Sequence, residues 1–235
     1  MPAQQKTGTD WYRGTADAIR QNLDLVRGKG ADHVIILSGD HIYKMNYLKM
    51  LTYHKAQNAD LTISGLRLKK RQAAGRYGIL EVNGDLRLFG FEEKPARPKP
   101  IPNASDYTLA SMGIYVFTTD VLLKALQEEG DDFGKDIIPR MIDGSSNIFV
   151  YDFTEKNKIE DFIVEVAEGK RRKVLVDRTR DSSYWRDVGS IDSYYKASMD
   201  LLSVDPIFNL YGEKWVIRTC QRPLPPSKCV LGGSV

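Results

Sequence analysis

The stretch His33-Val34-Ile35-Ile36-Leu37-Ser38-Gly39-Asp40 decides the fold. It is a short apolar run with three β-branched residues, and a glycine and an aspartate end it. This pattern predicts a strand buried on both faces, as in a parallel sheet covered by helices. Apolar residues at helical spacing precede it, at Ala16, Ile19, Leu23 and Val26 after a capping Thr15. A helix from Tyr43 to Lys55, with Leu48 and Leu51 facing inward, is predicted to follow it.

The rest of the chain repeats this alternation of strands and helices. Strands are predicted at 59–66, 110–117 and 147–153, with a hairpin at 78–93 and helices after Thr118, over 136–142 and from Ser190 to Leu202. Asn83-Gly84 favours a tight primed turn in the hairpin. The polar segment Glu155–Arg180 favours a solvated hairpin over a nucleic-acid patch, despite its basic cluster at 170–173. The predicted fold is α/β, with a Rossmann-like mixed and mainly parallel sheet that binds ligands at the carboxyl ends of its strands.

Composition narrows the class of protein. The 235 residues include 34 Lys and Arg against 31 Asp and Glu, and this net charge of +3 gives no argument for nucleic-acid binding. No apolar run approaches the roughly 18 residues that cross a bilayer, and the first residues do not resemble a signal peptide. Cys220 and Cys229 fit neither a zinc site nor a disulfide framework, and the three histidines have no metal or triad spacing. A reduced, cytoplasmic enzyme or binding domain remains.

Two aspartates occupy predicted strand ends. Asp40 ends the most apolar strand, and Asp187 lies in Trp-Arg-Asp-Val-Gly just before a helix. Each has a plain structural explanation, Asp40 as a turn or cap residue and Asp187 as a partner of Arg186. If both carboxylates meet at one sheet edge, they form a hard-cation site suited to Mg²⁺, which prefers one or two carboxylates plus substrate phosphates.

A second candidate is Glu93-Lys94-Pro95, which closes the hairpin. The proline restricts Lys94 to extended geometry and ends the ladder, so local twist can turn both charged groups toward one pocket. A carboxylate for hydroxyls beside an ammonium for phosphate suits a sugar phosphate, whereas an exposed salt bridge is the alternative. Tyr12 precedes a helix N-terminus, where free N–H groups favour an anion.

These motifs occur together, in order, in one known family. The sequence closely resembles bacterial glucose-1-phosphate adenylyltransferases over nearly its whole length. The motifs that carry the resemblance are Trp11-Tyr-Arg-Gly-Thr-Ala-Asp-Ala18, Leu37-Ser-Gly-Asp-His-Ile-Tyr43, Phe91-Glu-Glu-Lys-Pro95, Ala110-Ser-Met-Gly-Ile-Tyr-Val-Phe117, Asp132-Phe-Gly-Lys-Asp-Ile-Ile-Pro139, Tyr184-Trp-Arg-Asp-Val-Gly189 and Leu224-Pro-Pro-Ser-Lys228.

The resemblance implies a nucleotide-diphospho-sugar transferase fold and Mg²⁺-dependent conversion of ATP and glucose 1-phosphate into ADP-glucose and pyrophosphate. It further implies a cytoplasmic homotetramer, regulated by effectors, at the first committed step of glycogen or starch-type glucan synthesis, with no nucleic-acid or membrane partner. Asp40 and Asp187 match the catalytic, metal-binding aspartates of the family. The positions that match its glucose 1-phosphate contacts are Tyr12, Gly78, Glu93, Lys94 and Ser111.

The sequence departs from the family at both ends. The family's opening strand and its Gly-Gly-x-Gly-x-Arg nucleotide loop are absent, so we expect a sheet incomplete at its N-terminal side, with Val34–Leu37 lacking a neighbour. Residues 1–203 are predicted to be an N-terminally truncated catalytic domain, and 204–235 a linker toward a missing left-handed β-helix. We expect this chain alone to turn over inefficiently. The alternatives are a non-catalytic sugar-phosphate-binding subunit and a pyrophosphorylase that uses another nucleotide.

Overall fold

A computed structural model describes residues 11–28 and 30–219. Its helices are α1 (Thr15–Arg20), α2 (Leu23–Arg27), α3 (Tyr47–Ala56), α4 (Lys70–Ala73), α5 (Thr119–Ala125), α6 (Ile138–Asp143), α7 (Phe153–Lys156) and α8 (Ile191–Asp200). Its strands are β1 (His33–Ile36), β2 (His41–Tyr43), β3 (Leu61–Lys69), β4 (Gly78–Val82), β5 (Leu88–Glu93), β6 (Tyr107–Thr118), β7 (Ile148–Asp152), β8 (Asp161–Ala167), β9 (Lys170–Val176) and β10 (Trp185–Asp187). A π-helical turn at Phe133–Ile137 leads into α6, and a 3₁₀ turn at Arg180–Ser183 precedes β10.

A six-stranded mixed sheet forms the centre of the molecule, which confirms the α/β prediction. The expectation of mainly parallel pairing is wrong for the neighbours in this sheet. The long strand β6 pairs antiparallel with β1, β3 and β4, and β5 pairs antiparallel with β4, while β3 and β7 form the parallel pair of the described residues. Strands β1, β3, β4 and β7 do run in one direction. Because β6 is inserted among them, most do not touch one another.

Both faces of the sheet are buried. One cluster joins Leu61, Phe117 and Val150 to residues of α5 and of the segment ending in α6, including Leu122 and Ile138. The other joins Met50 of α3 to residues of β6 and β7 on the opposite face, namely Met112, Ile114, Val116 and Tyr151. Successive residues of β6 thus pack into different clusters, as the alternation along a strand requires.

Strand β1 is the exception to this burial. Among the described residues it pairs with β6 alone, and Ile35 and Leu37 leave 37% and 45% of their surface exposed. This agrees with the expectation that Val34–Leu37 lacks a neighbour. The prediction of a strand buried on both faces is wrong for β1.

Three local predictions are also corrected. Thr15 does not cap α1, because its hydroxyl bonds to Asp132 and Phe133 while Gly14 precedes the helix. Leu48 faces outward, and α3, which Asn46 caps, buries Met50 and His54 instead. The β4–β5 turn has its left-handed residue at Leu86, with φ of 62°, and not at Gly84.

The polar segment after α7 is a hairpin, β8–β9, as predicted. The segment that follows α8 packs back on this region. Phe208 is buried, and the backbone N–H groups of Glu213 and Lys214 both donate to the Asp161 carboxylate. Residues 220–235, which include both cysteines, lie outside the described residues. No helix in the described ranges is long and apolar enough to cross a membrane.

Candidate active site

A short two-stranded ladder brings the two predicted metal-binding aspartates together. Strands β2 and β10 pair antiparallel with Asp187 opposite His41, and the Val188 N–H donates to the Asp40 carbonyl at 2.9 Å. Asp40 comes directly before β2 and Asp187 ends β10, so both carboxylates emerge at the same end of the ladder. One oxygen of each, together with a ring nitrogen of His41, lies within 4.8 Å of the other two.

His41 is a member of this cluster that sequence reasoning assigned to a structural role. Its Nε2 lies 3.5 Å from Asp40 Oδ1, and its ring packs edge-on against Trp185. Burial lowers the pKa of His41, although Asp40 and Asp187 oppose this effect. A neutral imidazole therefore borders the two carboxylates, and its buried Nδ1 has no hydrogen-bond partner within the described residues. The pairing of β2 with β10 places His41 opposite Asp187, and the spacing of the histidines in the sequence does not indicate this pairing.

Six of the seven predicted site residues line one cleft of about 280 Å³. They are Asp40, Gly78, Glu93, Lys94, Ser111 and Asp187. The hairpin β4–β5 supplies Gly78 and Glu93, which are register partners, and β6 supplies Ser111. Strand ends far apart in the chain thus meet at one place.

Gly78 lies close to two side chains of the cleft. A Cβ at this position would lie 2.4 Å from Phe91 Cζ and 3.0 Å from Glu93 Oε2. The glycine therefore makes room for the Phe91 ring and the Glu93 carboxylate. Gly134, on the π-helical turn, also faces these two groups, with its hypothetical Cβ 3.3 Å from each. The two glycines together define where Glu93 lies.

Lys94 turns back toward Glu93, with its Nζ 3.5 Å from Glu93 Oε1. The expected extended backbone at Lys94 is wrong, since its φ is +50°. The Lys94 N–H donates to the Tyr77 carbonyl and the Gly75 N–H to the Pro95 carbonyl, so contacts with the segment before β4 hold this turn. A left-handed lysine before proline is strained by about 1 kcal/mol or more.

Ser111 lies at an irregular part of β6, where Gly113 has φ of +66° and its N–H donates to Ser111 Oγ. The hydroxyl also interacts with Tyr115, which is buried nearby. Burial raises the pKa of Tyr115 to about 12, and Asp132 and Glu93 add to the rise while the Ser111 bond opposes it. Tyr115 is thus a neutral hydroxyl group beside these carboxylates.

The cleft contains further residues to which sequence reasoning assigned no role. Asp132 accepts hydrogen bonds from the backbone of Gly134 and Lys135 and from Thr15 Oγ1. Tyr77 packs edge-on against Trp185, and Arg76 lies over the Tyr77 ring. The lining as a whole carries four carboxylates, Asp40, Glu93, Asp132 and Asp187, against two cationic side chains, Arg76 and Lys94.

Tyr12 is the predicted site residue that does not line the cleft. Its hydroxyl accepts a hydrogen bond from Asn22 Nδ2 at 3.0 Å. The anion site considered at the start of α1 is also occupied, because the N–H groups of Ala16 and Asp17 both donate to the Asp131 carbonyl.

Comparison with known proteins shows the family to which the sequence is similar. Residues 1–204 match the family model described as nucleotidyl transferase. Similar curated proteins include glucose-1-phosphate adenylyltransferase 1 of Vibrio vulnificus (strain YJ016), 46% identical over 97% of this chain and 53% of the relative. The corresponding enzyme of Shewanella sp. (strain W3-18-1) is 42% identical over 98% of this chain and 51% of the relative. That of Rhodopirellula baltica is 43% identical over 99% of this chain and 48% of the relative. The chain spans about half the length of the curated relatives it matches.

Proposed function

The chain belongs to the nucleotidyl transferase family, and from this premise we propose that it transfers an adenylyl group from ATP to glucose 1-phosphate, giving ADP-glucose and pyrophosphate with Mg²⁺. The names of its relatives support the choice of substrates. The observation that carries the proposal is the convergence of Asp40 and Asp187 in a cleft that also holds Glu93 and Lys94.

The donor set suits a hard divalent cation. Asp40 and Asp187 offer carboxylate oxygens, the ligands that Mg²⁺ prefers, and they leave room for substrate phosphates. These two residues would hold the ion, and His41 would border it as a neutral ring. When bound, a divalent cation neutralises charge developing on the transferred phosphate and on the pyrophosphate.

The other half of the cleft suits a sugar phosphate. The Lys94 ammonium would bind the phosphate as a point charge, and Arg76 lies near enough to line the same cleft. The Glu93 carboxylate would accept hydrogen bonds from sugar hydroxyls. One of its oxygens faces the two glycines, and the other faces Lys94. Ser111 would add a hydroxyl contact on the opposite wall.

The reaction needs alignment of two anions more than proton transfer. The attacking group is a phosphate monoester oxygen, whose second pKa is about 6, so the group is largely ionised near neutral pH. No general base is therefore required for this step. The residues of the cleft act by orienting the two phosphates in line.

For the whole protein, we propose two parts and an oligomeric assembly. Residues 1–203 form its catalytic domain, and 204–235 lead toward a further domain. The complete protein is a cytoplasmic homotetramer whose product feeds glycogen or starch-type glucan synthesis and whose activity responds to effectors.

The direct test is pyrophosphate release from glucose 1-phosphate with each nucleoside triphosphate in turn. We expect ATP to be preferred, and Asp40→Asn and Asp187→Asn each to lower turnover by about a hundredfold or more. Asp85→Asn, which changes an exposed carboxylate in the β4–β5 turn, is the matched control and should be neutral. Near-normal turnover in Asp40→Asn would refute the assignment. Binding of Mn²⁺ and glucose 1-phosphate without pyrophosphate release from any nucleotide would instead favour the non-catalytic alternative.

A further inference from the structure

A buried ion pair lies at the far end of the β2–β10 ladder from the two aspartates. Lys44 Nζ is 2.7 Å from Asp181 Oδ2, and each side chain is only 2% exposed. The Phe208 ring covers the pair, with its centroid 5.4 Å from the ammonium. The backbone N–H of Asn209 and the Thr179 hydroxyl also donate to the Asp181 carboxylate. Neither Lys44 nor Asp181 lines the catalytic cleft.

The pair belongs to a network that joins the chain on either side of the ladder. Lys44 directly follows β2, and Asp181 and Ser182 lie on the 3₁₀ turn just before β10. The Asn157 side-chain amide donates to the carbonyls of both Lys44 and Ser182, at 2.8 and 2.6 Å. The two strands that carry the metal-binding carboxylates are therefore fastened together at their other end.

The ladder needs such fastening. Strands β2 and β10 have three residues each and form a two-stranded sheet of their own. A two-stranded sheet is marginally stable by itself. Slippage of its register by one residue would turn Asp187 to the opposite face and separate its carboxylate from Asp40. Desolvation of the two charges offsets much of their attraction, so a buried ion pair is weak evidence for added stability. Its more informative property is that it holds the two side chains in one relative position.

We propose that Lys44 is a positioning residue: its ion pair with Asp181 fixes the β2–β10 register and thereby the separation of the Asp40 and Asp187 carboxylates. This inference rests on the proposed function, since it assumes that the two carboxylates bind a divalent cation. Lys44 acts through the backbone of β2 and touches neither substrate nor cation. Through Phe208, the segment after α8 packs against the Lys44–Asp181 ion pair.

The test is titration of Mn²⁺ alone into the chain, with free ion measured by electron paramagnetic resonance. Lys44→Met should raise the Kd for Mn²⁺ by about tenfold, the scale seen when groups that orient metal ligands are removed. Arg67→Met is the matched control. Arg67 also lies 2.7 Å from a carboxylate that is 2% exposed, Asp152, and neither residue of this pair lines the cleft. The control should bind Mn²⁺ with unchanged affinity.

A second variant separates positioning from stability. Lys44→Met alone leaves Asp181 as an uncompensated buried charge, which is destabilising. Lys44→Met combined with Asp181→Asn leaves no buried charge and should regain most of the lost Tm, yet its Kd for Mn²⁺ should stay raised. Recovery of Mn²⁺ affinity together with Tm would show a purely structural pair and overturn the proposal.

The remaining outcomes are also decisive. Unchanged affinity in Lys44→Met, or an equal loss in Arg67→Met, would overturn the positioning role while leaving the cation site in place. Absence of Mn²⁺ binding by the unsubstituted chain would overturn the cation site and the positioning role together. Failure of this inference is thus distinct from failure of the proposed function.

Discussion

Replacement of Gly78 by alanine tests whether this glycine sets the position of Glu93. The added Cβ would lie 2.4 Å from Phe91 Cζ, where ordinary contact begins at 3.4 Å, so the ring has to retreat by about 1 Å. Glu93 Oε2, at 3.0 Å, has to move as well. Gly134 faces the same two groups. Overpacking of this kind costs about 1–3 kcal/mol of unfolding free energy.

The displacement should also affect substrate. A reacting group misplaced by 1 Å can cost about a hundredfold in rate, so kcat/KM for glucose 1-phosphate should fall by up to that factor in Gly78→Ala. Urea unfolding and pyrophosphate release measure the two effects. Gly84→Ala is the control, because a Cβ there meets no atom within 4 Å and its backbone is not left-handed. It should change stability by no more than about 0.5 kcal/mol.

A third variant identifies the contact responsible. Gly78→Ala with Phe91→Leu removes the ring atom that meets the new methyl group, and it should recover stability relative to Gly78→Ala alone. The reasoning would be refuted if Gly78→Ala unfolded like Gly84→Ala and kept its kcat/KM, since the neighbours would then give way freely.

Further predictions concern charge and strain. Burial, aided by His33, lowers the pKa of His54 from 6.5 to about 4, so the unfolded state takes up the proton first as pH falls. This part of the stability is complete above about pH 6.5, and about 3 kcal/mol of it is lost by pH 4. Urea unfolding between these pH values should show a steeper loss for the unsubstituted chain than for His54→Gln, and equal slopes would contradict the assignment. Lys94→Ala should raise the KM for glucose 1-phosphate with little change in kcat, because it removes a ground-state contact, and an unchanged KM would count against that contact. Lys94→Gly should raise the KM equally but be more stable than Lys94→Ala by about 1 kcal/mol, because glycine tolerates the φ of +50°; equal unfolding midpoints would exclude strain at this residue.

The sequence predicted which segments form strands and helices better than it predicted which strands pair with one another. The apolar run at Val34–Leu37 is a strand, and Ser190 does cap α8 through its hydroxyl. Strand direction was not encoded locally, because the insertion of β6 beside β1 is decided by packing of residues far apart in the chain. The inward face of α3 was misjudged at Leu48, because the helix buries Met50 and His54, which are four residues apart and share one face.

In the candidate site, too, local sequence patterns indicated some residues, whereas long-range strand pairing was needed to reveal others. Asp40 and Glu93 are candidates because each ends a predicted strand, and Asp187 because it lies in Trp-Arg-Asp-Val-Gly just before a helix; the resemblance to a known family added their expected roles. His41 was missed because its part in the site depends on a three-residue ladder with Asp187, and no spacing of histidines reveals that pairing. The close approach of the Phe91 ring to Gly78 becomes visible only when the hairpin register is known, so the sequence alone did not indicate it.

The distribution of charge in the cleft indicates where a cation belongs. Glu93 is paired with Lys94, and Asp132 is satisfied by two backbone N–H groups and the Thr15 hydroxyl. Among the described residues, by contrast, the one ion-pair partner of the Asp40 carboxylate is the weakly basic His41. No salt bridge within the described part of the chain reaches Asp187, whose carboxylate accepts the Gly189 N–H. The uncompensated negative charge is therefore concentrated at the Asp40–Asp187 pair. Two carboxylates held this close repel each other unless a cation lies between them, and the ladder that holds them together does so against that repulsion.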